Sequence, residues 1–94
     1  MEQIKILWEE YQKTPFPTEA HISSEVEIID ITIAGIVSGV LANNGKITKD
    51  YKDILESCLK DLDKEIEKIP LSAHDHFLKL KTIGEMVLNE SKIY

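Results

Sequence analysis

The chain has 94 residues, with 17 acids against 11 lysines, no arginine and a net charge of −6. A chain this short hides only about 60 to 65 per cent of its unfolded surface, so the length allows one domain (1–94) with a thin margin of burial. The hydrophobic and charged fractions of 43% and 30% exclude a disordered chain, and the missing arginine and basic clusters argue against nucleic-acid binding.

The single cysteine, Cys58, excludes an internal disulfide and fits a reducing compartment. The opening MEQIKILWEE carries acids and no apolar core of signal-peptide length, so a cytoplasmic protein is expected. The most apolar stretch, 28–42, contains Asp30 and is shorter than the roughly 20 residues that span a bilayer, so no membrane association is expected.

In chain order, Ile4, Leu7, Trp8 and Tyr11 recur at helical spacing and predict a first helix over 2–12. Pro15 and Pro17 cannot continue it, because each fixes φ and lacks a donor. Residues 13–23 read as a crossing loop with Phe16 as its anchor.

The second element has two possible starts. Ser24 with Glu27 forms a capping-box pattern, and Asp30 is an alternative N-cap with the helix proper beginning at Ile31. The β-branched run Ile28, Ile29, Ile31, Thr32, Ile33 also suits a strand, yet no second strand-like run exists to pair with it. Ile33, Ile36, Val37, Val40 and Leu41 continue at helical spacing to Asn43-Asn44-Gly45, residue types that end helices. A helix over 28–43 is predicted.

From Thr48 the stripe Tyr51, Ile54, Leu55, Cys58, Leu59, Leu62, Ile66 alternates with charge. That pattern predicts an amphipathic third helix over 49–69, capped by Thr48 and stopped by Pro70. Ser72 to Asp75 resembles the cap of a fourth helix over 73–89, with Phe77, Leu80, Ile83, Gly84, Val87 and Leu88 inward. Short connections make the last three helices successive neighbours. The expected fold is all-α, a compact four-helix bundle-like domain.

Few residues offer chemistry. His74 and His76 flank Asp75, but residues two apart on a helix diverge and no third ligand is evident, so a solvated helix start is expected rather than a metal site. Cys58 reads as a structural buried thiol. Ala34-Gly35 and Ser38-Gly39 make a small-residue strip that lets another backbone approach, with internal packing preferred over a second subunit. Asp30 reads first as an N-cap, then as a buried acid paired with a lysine, or as a catalytic carboxylate working with His74 or His76. No phosphate loop or catalytic series can be assembled, so neither enzyme activity nor a cofactor is expected.

Charge is lopsided. Residues 1–45 carry seven acids against two lysines (−5), and 46–94 carry ten against nine (−1). Glu9, Glu10, Glu19, Glu25 and Glu27, with Trp8 and Phe16 beside them, are therefore the candidate partner-binding residues. An acidic face speeds association with a basic partner, and aromatics within its rim suit hot spots. Plain solubility is the competing explanation for the acids.

In order and spacing, Asp30, Ala34-Gly35, Leu41, Leu55, Cys58, Asp61-Leu62, Phe77, Leu80 and Val87-Leu88 resemble a family of short, uncharacterised bacterial proteins with a helical C-terminal half. The resemblance covers 28–90. It implies an all-helical bacterial cytosolic domain and no activity, cofactor or catalytic residue; this chain has His76 where that family often has tyrosine. The expected function is a non-enzymatic protein-interaction domain, in sharper form an immunity or antitoxin-type inhibitor. A self-associating homodimeric adaptor is the alternative.

Overall fold

The first helix, α1 (Glu2–Lys13), turns Ile4 and Tyr11 inward and ends before the prolines, with the Thr14 amide donating to the Tyr11 carbonyl. This computed structural model describes residues 1–17 and 22–94. Phe16 meets Phe77 edge-on, with ring centroids 6.0 Å apart, and so anchors the segment after α1.

The second helix, α2 (Ser24–Ala42), starts four residues before the expected position. Ser23 is its N-cap, with the hydroxyl accepting from the Val26 amide at 3.2 Å. Asp30 is not a cap: it lies within the helix and is buried. Val26, Asp30, Ile33, Val37 and Val40, all buried, are spaced four, three, four and three apart, which is one helical face. The β-branched run is helix because its inward members have other helices to meet, and packing overrides propensity. Asn43-Asn44-Gly45 stops α2 as expected. Asn44 takes a positive φ of 55°, and the Gly45 amide donates back to the Val40 carbonyl at 2.9 Å, the six-to-one bond of a left-handed helix stop.

The third helix, α3 (Lys49–Glu65), has Thr48 as N-cap, its hydroxyl accepting from the Tyr51 amide at 3.2 Å. A 3-10 turn at Ile66–Lys68 carries the chain to Pro70. After a second 3-10 turn at Leu71–Ala73, α4 runs His74–Glu90 without a side-chain cap, unlike the Ser72 cap the sequence suggests. His74 spans the break instead, with Nε2 2.7 Å from the Ile69 carbonyl oxygen.

Helix α4 is the hub: it packs against α1, α2 and α3, and α2 also packs on α3. Phe77, Leu80, Ile83 and Val87 are buried among Ile4, Ile33, Val37, Leu55 and Leu62. The closest approach is at Gly84, where a Cβ would lie 2.8 Å from Leu59 Cδ2 and 3.5 Å from Ile33 Cγ2. The fold is therefore the all-α, four-helix bundle-like domain expected.

A two-residue strand pair was not expected. Lys46–Ile47 (β1) and Lys92–Ile93 (β2) pair in parallel, Lys46 beside Lys92 and Ile47 beside Ile93. The Lys92 amide donates to the Gly45 carbonyl at 2.9 Å and the Tyr94 amide to the Ile47 carbonyl at 3.1 Å. The pair fastens the segment after α4 to the α2–α3 connection.

Candidate functional site

Three polar side chains from three helices meet inside the bundle. The Tyr11 hydroxyl (α1) donates to Asp30 Oδ1 (α2) at 2.6 Å, and His76 Nε2 (α4) lies 3.3 Å from the same oxygen. All three residues are at most 8% exposed. A buried carboxylate is stable only when hydrogen-bonded, and the phenol and imidazole meet that need. Burial first, then the hydrogen bond to Asp30 and its negative charge, push the Tyr11 phenol well above its ordinary pKa. His76 Nδ1, the other ring nitrogen, is buried without a hydrogen-bond partner among the described residues.

Aromatic rings enclose the cluster. Trp8 stacks on Tyr11 at 5.3 Å, while Phe16 and Phe77 meet the His76 ring edge-on at 5.2 and 4.9 Å. Two expectations are thereby corrected. Asp30 is a buried acid paired with tyrosine and histidine, neither a cap nor a partner of lysine. His76 is a core residue, and only His74 belongs to the helix start. Asp30 and His76 do meet, as a catalytic reading requires, but they meet under a lid of rings. None of the three grooves described on the surface is lined by either residue. What the cluster does chemically is hold a proton on Tyr11 and pin α1 and α4 to α2.

The acids of the first half have a different setting. Glu9 and Glu10 on α1, and Glu25 and Glu27 in the first turn of α2, are exposed. The ion pairs among the described residues include none of them and involve Asp30 and residues 49–85, as in Lys49–Asp53, Lys60–Glu56 and Lys81–Asp63. Glu25 and Glu27 also complement the helix dipole where they stand. Glu19 lies outside the described residues. Trp8 and Phe16 are half-buried, their rings engaged with Tyr11 and His76. Among the described residues no group of three or more His, Cys, Asp or Glu could hold a metal ion.

The small-residue strip faces outward, contrary to the preference for internal packing. Gly35 and Gly39 are exposed, and a Cβ built on either meets nothing within 4 Å among the described residues. Each glycine costs a helix interior about 1 kcal/mol relative to alanine, and no contact from another element among the described residues offsets it. The strip floors a groove of about 480 Å³ whose sides include Ile31, Tyr51, Ile54 and Tyr94. Tyr51 and Ile54, read from sequence as core stripe, are 57% and 43% exposed. Among the described residues the lining side chains include no acid, and Lys46 is the one charged side chain. The groove was hidden from sequence reasoning because α2 beyond its acidic first turn carries apolar residues at inward and outward positions alike, so its pattern does not mark which side is outermost.

Cys58 is half-buried against the core, and its thiol is pushed up first by burial and then by the Asp61 charge, the setting of an unreactive thiol. No helix among the described residues is long and apolar enough to cross a membrane. Comparisons with protein-family models, curated proteins and solved structures found no match.

Proposed function

We propose that this chain is a non-enzymatic protein-interaction domain that presents the acidic surface of its N-terminal half to a basic protein partner, in the manner of an immunity or antitoxin-type inhibitor of the bacterial cytosol. One observation carries the reading. Six of the ten acids of the second half pair with lysines, whereas none of Glu9, Glu10, Glu25 and Glu27, all exposed, is in an ion pair among the described residues. Exposed acids free of ion pairs raise the encounter rate with an oppositely charged partner and lose that advantage in salt. The burial of Asp30 and His76 supports the non-enzymatic part, since a carboxylate and an imidazole enclosed by rings offer a substrate no approach.

The test is affinity capture from the native host at low and high salt, using the wild-type chain and the variant E9Q/E10Q/E25Q/E27Q. A basic protein held at low salt, released by salt and lost with the variant is the expected result. If no basic protein is captured, or if one is captured equally well by the variant and in high salt, the acidic surface is not the interface.

A further inference from the structure

We infer that Tyr11 is a redox-active tyrosine: a one-electron oxidant meeting the chain at Trp8 draws its electron from Tyr11, whose proton passes to Asp30. The acidic surface makes no use of this buried cluster. A phenol gives up an electron inside a protein when its proton has an acceptor in place, its electron has a path, and the radical has shelter. All three meet at Tyr11.

The acceptor is Asp30 Oδ1, 2.6 Å from the Tyr11 hydroxyl, and His76 Nε2 lies 3.5 Å from the same hydroxyl. A phenol that loses an electron becomes a strong acid, and a base already at hydrogen-bond distance takes its proton without rearrangement. Burial and the Asp30 charge hold the proton on the resting phenol, so proton and electron leave together. Charge favours the step. At rest the cluster encloses the negative carboxylate, which is costly in an apolar interior. Afterwards the phenoxyl radical and the protonated Asp30 are both neutral. Burial therefore makes Tyr11 easier to oxidise than a phenol with no carboxylate beside it.

The path is Trp8, whose ring stacks on Tyr11 with centroids 5.3 Å apart and planes 19° from parallel. Trp8 is half-buried and meets solvent, whereas Tyr11 is 8% exposed. The shelter is that burial, with Phe16 and Phe77 closing over His76, so two phenoxyl radicals cannot meet and couple. The class of oxidant is an organic peroxyl radical. It takes one electron from Trp8, becomes the hydroperoxide anion and is protonated by water. Tyr11 refills Trp8 as its O–H bond breaks and an O–H bond forms on Asp30 Oδ1.

The experiment uses the full chain carrying Y51F/Y94F/C58A, which leaves Tyr11 as the one tyrosine and removes the one thiol. Photogenerated tris-bipyridyl ruthenium(III) is the one-electron oxidant, and transient absorption and electron paramagnetic resonance follow the radicals. An indole radical at Trp8 is expected first, giving way to a phenoxyl radical that outlives the one formed on N-acetyltyrosinamide. The handover is slower in heavy water, a readout that a purely structural hydrogen bond does not move. Adding W8F slows the oxidation of Tyr11, and adding D30N slows the handover, each by about tenfold or more. Adding Y11F leaves the indole radical alone. Circular dichroism checks the fold of each variant, and the heavy-water comparison decides the matter where D30N does not fold. An indole radical that decays with no phenoxyl overturns the proposal. So does a handover equally fast in light and heavy water, or unaffected in folded D30N, or a Tyr11 oxidised as fast in folded W8F. A phenoxyl no longer-lived than that of the free amide overturns it too. Partner capture through the acidic surface has no bearing on these outcomes.

Discussion

Replacing Tyr11 by phenylalanine removes one oxygen from the centre of the bundle and almost nothing else. The ring keeps its stack on Trp8 and its contact with His76, so no large cavity opens. What is lost is an O–H donor 2.6 Å from Asp30 Oδ1, at the short, charge-assisted end of the range. A hydrogen bond to a charged group contributes about 1.5 to 3 kcal/mol, and the burial of this one puts Y11F at a loss of about 2 kcal/mol. For a domain of this size that lowers Tm by about 8 to 16 °C. The assay is urea unfolding followed by Trp8 fluorescence, at one fixed protein concentration, for wild type, Y11F, D30N and the double variant. Because the two side chains share one bond, the losses should fall short of additivity by about 1 kcal/mol or more. The cluster also leaves a signature in alkali. The folded state keeps the Tyr11 proton above pH 10, where an unfolded tyrosine releases it. The folded state then binds more protons than the unfolded one. The stabilisation is therefore complete below pH 10 and lost as pH rises toward the folded-state pKa, by up to about 1.4 kcal/mol per unit. Y11F lacks this component. A Y11F loss under about 0.5 kcal/mol, additive with D30N and with an unchanged alkaline slope, would refute the view that the cluster holds the helices together.

Other outcomes follow from single positions. Thr48→Ala removes the acceptor of the Tyr51 amide and should cost about 1 kcal/mol in urea unfolding, with Ser23→Ala similar at the start of α2. Gly45→Ala forces a side chain into φ +82° with its Cβ 3.1 Å from Met1 Cε, which should cost about 1 to 2 kcal/mol. Cys58, held protonated by burial and Asp61, should alkylate at pH 8 several-fold more slowly in the folded chain than in urea. Equal rates would mean an exposed thiolate.

The helices were legible where periodicity and caps agree. Thr48 and the Asn43–Gly45 stop mark α3 and the end of α2 by local chemistry, and local chemistry is what a sequence displays. Asp30 and His76 were misread for the opposite reason. Their partners are 19 and 46 residues away from Asp30, so nothing near either residue explains its burial. The signal was faint but present. Asp30 falls on the line Val26–Ile33–Val37–Val40, and His76 on the line Leu80–Ile83–Val87, and a polar residue on an apolar line needs a partner inside. Gly35 and Gly39 carried no such signal. With isoleucines outward at 28 and 31 and inward at 33 and 36, composition alone does not orient α2. The β1–β2 pair is two residues per strand, too short for any alternation to show.

That strand pair gives the groove one wall unlike the others. Tyr94 stands at the groove because β2 is tied to the α2–α3 connection, and the pair closes a loop containing α3 and α4 with few hydrogen bonds. Closing so long a loop for so little return is entropically poor, so this contact forms after the helices pack and opens before they part. The Lys92 and Tyr94 amides should then exchange with solvent much faster than those of α4. The floor of the groove thus belongs to a helix packed into the bundle, while its Tyr94 side hangs on two backbone hydrogen bonds, from the Lys92 amide to Gly45 and from the Tyr94 amide to Ile47.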